Sequence, residues 1–277
     1  MTGPRRRPGA TIAAALAVLV SASGLRAGPP VTVRPGTVVR WPGPGLEWCA
    51  VGDTRFEPLD GACYYPVDLL SRAGPLVLTR GRAGRRETTT VRVGRFDYPV
   101  QKLTLPRNMV ELSPEDLARV ARENREMARL WTREGPRRFV LPLGRPLDPL
   151  PEGGRFGHRR VINGSPRSPH GGADYSVPAG TPVLAAADGT VAMVADQFFG
   201  GHAVFVDHGD RLVTTYMHLS RVDVREGQTI VRGERVGAVG STGRATGPHL
   251  HFGARWRGAR VDPALLLGDP RAISAIE

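Results

Sequence analysis

Pro169-His170-Gly171-Gly172-Ala173-Asp174-Tyr175 and Gly247-Pro248-His249-Leu250-His251-Phe252 place a histidine four positions before an aspartate and, further on, two histidines two apart. Gly171 and Gly172 argue against a helix in the first stretch. His170 and Asp174 therefore sit on an extended or turning segment, from which both side chains can converge on one ion. If the second stretch is a strand, His249 and His251 face the same side with Cα atoms about 7 Å apart. Neutral imidazoles with one carboxylate suit Zn²⁺, and three protein ligands leave the fourth position for water. Strand geometry does not choose between two histidine ligands and one ligand with a neighbouring base. Either spacing also arises by chance, so the surroundings decide.

Those surroundings read as β-structure. Runs at 181–187, 190–194, 203–206, 212–218, 229–231, 235–239 and 249–254 suit short strands between glycine-containing turns. An all-β domain over 137–277 follows, and it holds all 7 histidines, the first being His158. Before it, Ser113 can cap a helix, Pro114 fits the first helical position and Asp116 completes a capping box. Leu117, Val120, Asn124, Met127 and Trp131 recur at helical spacing as far as Gly135-Pro136, so 113–136 reads as a linker helix. Its alternating charges do not suit a DNA-recognition helix. Residues 28–112, punctuated by Pro-Gly and Gly, have β-prone runs at 31–39, 76–79, 88–93 and 98–105 and read as a small β-sandwich-like domain with no catalytic constellation.

At 277 residues, 40% hydrophobic and 23% charged, the chain has mass for roughly two domains with a real core, which excludes a largely disordered protein. All but Lys102 of its 38 basic residues are arginine, and the net charge is +12. Beyond Arg5-Arg6-Arg7 there is no dense basic tract, and aromatics are only 6%, so no nucleic-acid partner is expected. The charge favours a polyanionic polymer or surface. Residues 1–27 read as a signal peptide: a basic start, then an apolar run at 11–20, short of the roughly 20 residues needed to span a bilayer. Membrane attachment would require that leader to stay uncleaved. In an oxidising compartment Cys49 and Cys63, 14 positions apart, close a structural loop worth about 3 kcal/mol.

Taken together, Pro169 to Tyr175, Pro178-Ala179-Gly180-Thr181-Pro182-Val183, Tyr216-Met217-His218-Leu219-Ser220 and the run from Gly240 to Phe252 closely resemble the lysostaphin-like, LytM-type zinc metallopeptidases, in their peptidoglycan endopeptidase branch. The likeness covers about residues 139–263, and residues 28–112 resemble more loosely an extra domain that some of these exported enzymes carry. It implies an antiparallel LytM-type sheet with hairpins, one Zn²⁺ per chain held by His170, Asp174 and His251, and a catalytic pair of His218 and His249. His249 would take the water proton and pass it to the leaving amine while His218 hydrogen-bonds the oxyanion, roles that are open to exchange. Arg159, Arg160 and Asn163, just before the first ligand, are candidate substrate contacts. The implied substrate is bacterial peptidoglycan, cut at peptide cross-links, with D-Ala to diaminopimelate preferred, in the periplasm; a regulatory protein partner is compatible with this. The alternative, a non-catalytic regulator of cell-wall amidases, predicts a broken ligand set. A biotinyl or lipoyl carrier, prompted by Val224 to Glu234, needs a lysine that this segment lacks. His202 and His208 read as structural.

Overall fold

The computed structural model describes residues 31–276, together with Gly3. Gly3 apart, the signal peptide expected over 1–27 lies outside the described residues. Among the described residues no helix is long and apolar enough to cross a membrane.

Eight strands precede the first α-helix: β1 (Thr32–Val33), β2 (Val38–Pro42), β3 (Leu46–Val51), β4 (Thr54–Phe56), β5 (Ala62–Pro66), β6 (Gly74–Arg82), β7 (Arg85–Val93) and β8 (Val100–Leu103). One sheet runs β1-β7-β6-β3-β4, and β2 pairs with β5. Side chains of both sheets, including Trp41, Tyr65, Leu78 and Val91, enclose one apolar cluster. A disulfide between Cys49 on β3 and Cys63 on β5 joins the two sheets through that cluster. β3 to β5 were not among the runs read from the sequence; Glu47 and Arg55 interrupt the apolar pattern of β3 and β4, and the pairing of β3 with β6 and β4, of β5 with β2, and the disulfide define these strands instead.

The helix α1 spans Pro114–Leu130, capped by the Ser113 hydroxyl, which accepts from the Asp116 amide at 3.0 Å. It stops short of Gly135-Pro136 because Leu130 and Trp131 turn onto Phe205 and Val213. The remaining elements are β9 (Arg159–Ile162), β10 (Ser165–Pro166), β11 (Gly172–Tyr175), β12 (Pro182–Leu184), β13 (Gly189–Gln197), β14 (Gly201–Asp207), β15 (Leu212–Val222), β16 (Thr229–Ile230), β17 (Arg235–Val239), β18 (Leu250–Trp256), β19 (Ala259–Val261) and α2 (Pro263–Leu267). A nine-stranded antiparallel sheet has the order β11-β18-β15-β14-β13-β16, with β17 on β15 and β12, and β19 on β18. The all-β architecture expected from the sequence is thus the one observed.

Tyr216, Leu219, Phe252 and Trp256 are fully buried beneath this sheet. Removing each such side chain from water contributes about 1.5–3 kcal/mol. The same core takes in Val38, Leu59, Ala62 and Tyr64, so the strands before α1 share it. Arg257 donates to the Tyr64 carbonyl at 2.7 Å, and the Arg260 guanidinium grips Asp68 through bonds of 2.8 and 3.0 Å. β8 pairs in parallel with β9, Val100 opposite Arg159, which carries residues 100–105 to the rim of the site.

Candidate metal centre and active site

Register across two neighbouring strands builds the centre. Asp174 on β11 lies directly opposite His251 on β18, and His251 in turn lies opposite Met217 on β15. His170 comes from the turn before β11 and is fully buried. The triangle of His170 Nε2, His251 Nδ1 and Asp174 Oδ1 has sides of 2.9, 2.8 and 2.9 Å. The only tight requirement for glycine in this stretch is at Gly172, where a Cβ would lie 2.6 Å from the Phe252 carbonyl oxygen and 2.7 Å from His251 Nε2.

A turn at Arg155 to His158 sets the His170 ring. The Arg155 carbonyl accepts from His170 Nδ1 at 2.9 Å, and the Gly157 amide donates to the His170 carbonyl at 2.8 Å. A carbonyl only accepts, so the proton sits on Nδ1 and Nε2 presents a lone pair to Asp174 and His251. Burial pushes His170 down to about 4, against the pull of Asp174, and keeps the ring neutral. Burial alone would raise Asp174; the close approach of the His170 and His251 rings outweighs it and holds the carboxyl well below the usual range. Three ligand atoms meeting at one point, one of them from a carboxylate, form a donor set that could hold a cation, and two nitrogens with one oxygen fit zinc.

Two further histidines complete the cleft. From Tyr216 to Leu219 β15 advances three residues while its partner β14 advances two, from Val204 to His202, so β15 bulges at Met217 and His218. His218 takes φ +64°, a left-handed conformation costing roughly 1–2 kcal/mol for a non-glycine residue, and its amide donates to Gly200 O at 2.8 Å. Its ring lies 4.6 Å from that of His249, centroid to centroid, and 6.1 Å from that of His251. His218 Nδ1 donates to the Thr242 carbonyl and His249 Nδ1 to the Gly247 carbonyl, each at 2.8 Å, leaving both Nε2 atoms as lone pairs. Burial above all, with a smaller electrostatic contribution from the neighbouring His251, pushes His218 down to about 3. Neutral His218 therefore accepts at Nε2, and hydrogen-bonds an oxyanion only when protonated there. His249 Nε2 lies 3.9 Å from Asp174 Oδ1.

The candidate substrate contacts separate. Arg160 lines the cleft, with Nη2 3.5 Å from Asp174 Oδ2. Arg159, on the opposite face of β9, donates to the Tyr98 carbonyl at 3.0 Å. Asn163 joins β9 to the segment after β8, its Oδ1 accepting from Leu105 N and its Nδ2 donating to Leu105 O, both at 2.9 Å. The cleft, about 340 Å³, also gains Gln101 and Leu103 from β8 and Arg244 and Phe199 from loops. Nothing in the sequence marked Gln101 or Leu103, because their place depends on a pairing across more than fifty residues; Arg244 lay inside the Gly240 to Phe252 run without a role. Helix α1 reaches the same wall. Both Glu123 carboxylate oxygens accept from the Phe198 amide at 3.1 Å, while Arg119 donates to Glu123 at 2.7 Å and to the Asp196 carbonyl at 2.8 Å. His208 is buried elsewhere, against the Asp188 carbonyl and the Thr214 hydroxyl.

Comparison with known proteins gives the geometry a context. Peptidase family M23 matches residues 168–263. The peptidoglycan DD-endopeptidase ShyA of Vibrio cholerae serotype O1 is 44% identical over 95 residues, 34% of this chain and 22% of ShyA. The DD-carboxypeptidase/endopeptidase Mpg of Neisseria meningitidis serogroup B is 47% identical over 94 residues, 34% of this chain and 22% of Mpg. The chain thus aligns with about a fifth of the length of these curated relatives. A crystal structure of a Pseudomonas aeruginosa protein assigned to peptidase M23 aligns with 87% of this chain and 96% of its own, at 33% identity and a TM-score of 0.64. With a third of its residues shared over nearly the whole of that structure, the chain belongs to peptidase family M23.

Proposed function

We propose that the protein is an exported zinc endopeptidase that hydrolyses peptide cross-links of bacterial peptidoglycan, at the bond from D-Ala to diaminopimelate. The observation that carries this reading is the meeting of His170, Asp174 and His251 in one triangle beside two histidines whose Nε2 lone pairs face the same cleft. The names of ShyA and Mpg support the substrate class, and the basic surface suits an anionic wall polymer. The leader-like first 27 residues and the Cys49–Cys63 disulfide support export to the periplasm.

In this reading His170 Nε2, Asp174 Oδ1 and His251 Nδ1 hold one zinc ion, which when bound supplies Lewis acidity to the scissile carbonyl and the attacking water. His249, whose Nε2 lone pair faces the cleft 3.9 Å from Asp174 Oδ1, takes the water proton and delivers it to the leaving amine. His218, neutral, orients the water by accepting its hydrogen bond at the Nε2 lone pair. The turn at Arg155 and the bulge at His218 hold these rings in place without substrate, so little reorganisation accompanies reaction. Incubating the purified protein with isolated peptidoglycan, with and without a zinc chelator, and weighing the released muropeptides tests the proposal. Chelator-sensitive conversion of dimers into monomers ending in D-Ala is expected; release of intact glycan strands or free stem peptides, or no release from a zinc-loaded preparation, would refute it.

A further inference from the structure

The cleft has more positive charge than its visible chemistry uses. Arg155, Arg160 and Arg244 all line it, and the carboxylate among its lining residues is that of Asp174. Asp174 belongs to the metal triangle, and its contact with Arg160 is a loose 3.5 Å. Among the described residues Arg155 and Arg244 make no ion pair at all. Arg244 is half-buried, with its guanidinium stacked at 4.0 Å on Phe199 and its amide donating to the Phe199 carbonyl at 3.0 Å. Phe198, next to that ring, is anchored by Glu123, so the platform under Arg244 is itself braced. Burial above all, and then the charges of Arg160 and Arg167, act against the charge of Arg244. Partly desolvated guanidiniums held together without an anion are unfavourable until one arrives, and their planar forks match a carboxylate in a two-point contact.

We propose that Arg160 and Arg244 form a clamp for a free carboxylate on the substrate residue that supplies the scissile nitrogen. The idea rests on the peptidase reading above. Diaminopimelate, cross-linked through one of its amines, keeps a carboxylate on the carbon bearing that nitrogen, two bonds from the nitrogen of the reacting amide. The clamp makes that group a specificity element: it registers the peptide against the metal centre, and a carboxamide at the same place loses the charge and one acceptor.

The test compares two cross-linked dimers that differ only in that group, carboxylate or carboxamide. Charge-assisted hydrogen bonds of this kind predict a fall in wild-type kcat/KM on the order of 10- to 100-fold on amidation. R244Q is expected to lose a similar factor on the acid, mainly through KM, and several-fold less on the carboxamide. Calorimetry with the metal-free full chain and the two amine-side products gives a readout independent of turnover: about tenfold tighter binding of the acid, abolished in R244Q. Equal wild-type kcat/KM for the two dimers, or equal losses on both in R244Q, would overturn the clamp, and the wild-type comparison stands even where the variant fails to fold. If wild type cleaves neither dimer the peptidase reading falls, while the calorimetric preference still decides the clamp.

Discussion

Gly172→Ala probes how the centre is built without touching a ligand. The new Cβ would sit 2.6 Å from the Phe252 carbonyl oxygen and 2.7 Å from His251 Nε2, where ordinary contact begins near 3.4 Å. The shortfalls are 0.8 and 0.7 Å, and neither neighbour is the loose end of a flexible chain. One is the backbone of β18, and the other is a ring whose Nδ1 sits 2.8 Å from Asp174 Oδ1. Relief therefore moves His251 by several tenths of an ångström, beyond the roughly 0.2 Å tolerance of a ligand position. The expected result is a fold that survives, with zinc affinity at least about tenfold weaker and turnover reduced about 100-fold, the scale of a 1 Å misplacement. Zinc affinity is read by competition with a chromophoric chelator, and the fold by circular dichroism. Wild-type zinc affinity in G172A would refute the argument that the missing side chain makes room for the His251 ring.

Other perturbations separate the roles. H249A should retain stoichiometric zinc by metal analysis yet lose on the order of 10² to 10⁴ in kcat, the usual worth of a positioned proton-transfer group. E123A removes the acceptor for the Phe198 amide and should lower kcat/KM about tenfold, with E123Q recovering part of it, since the wall under Arg244 and the Gly200 carbonyl that receives His218 N hang from that loop. His208, pushed down to about 4 chiefly by burial, stays neutral in the fold, whereas the unfolded chain protonates it near 6.5. The unfolded state then binds more protons, so stability is full above about pH 6.5 and falls as pH drops toward 4, by about 3 kcal/mol from this residue. Urea unfolding across that interval in wild type and in a stably folded H208Q variant should show a smaller acid loss in the variant.

What was legible beforehand depended on range. The strand run at 212–218 and the capping box at Ser113 are local patterns, and both reappear as elements, β15 and α1. The H-x-x-x-D and H-x-H spacings made convergence on one ion plausible, but placing Asp174 opposite His251 depends on the register of β11 with β18, which local sequence does not specify. Composition could not foresee the bulge that aims His218 into the cleft, because a positive φ at a histidine is imposed by the pairing of β15 with β14. The parallel pairing of β8 with β9 is equally non-local, and it decides that Arg160 faces the cleft while Arg159 and Asn163 serve the backbone of residues 98–105. The turn Arg155 to His158 lay within a recognised stretch, yet its work, fixing the tautomer of His170, is visible only through the carbonyl it presents.

The most direct measurement follows zinc content and hydrolysis together in one preparation, adding zinc stepwise to the metal-free protein and counting cross-linked dimers cleaved at each occupancy. The account predicts cleavage that rises in proportion to bound zinc and saturates at one ion per chain, with D174N holding little zinc and cleaving nothing. Full cleavage by metal-free protein, or saturation only at two ions per chain, would contradict it.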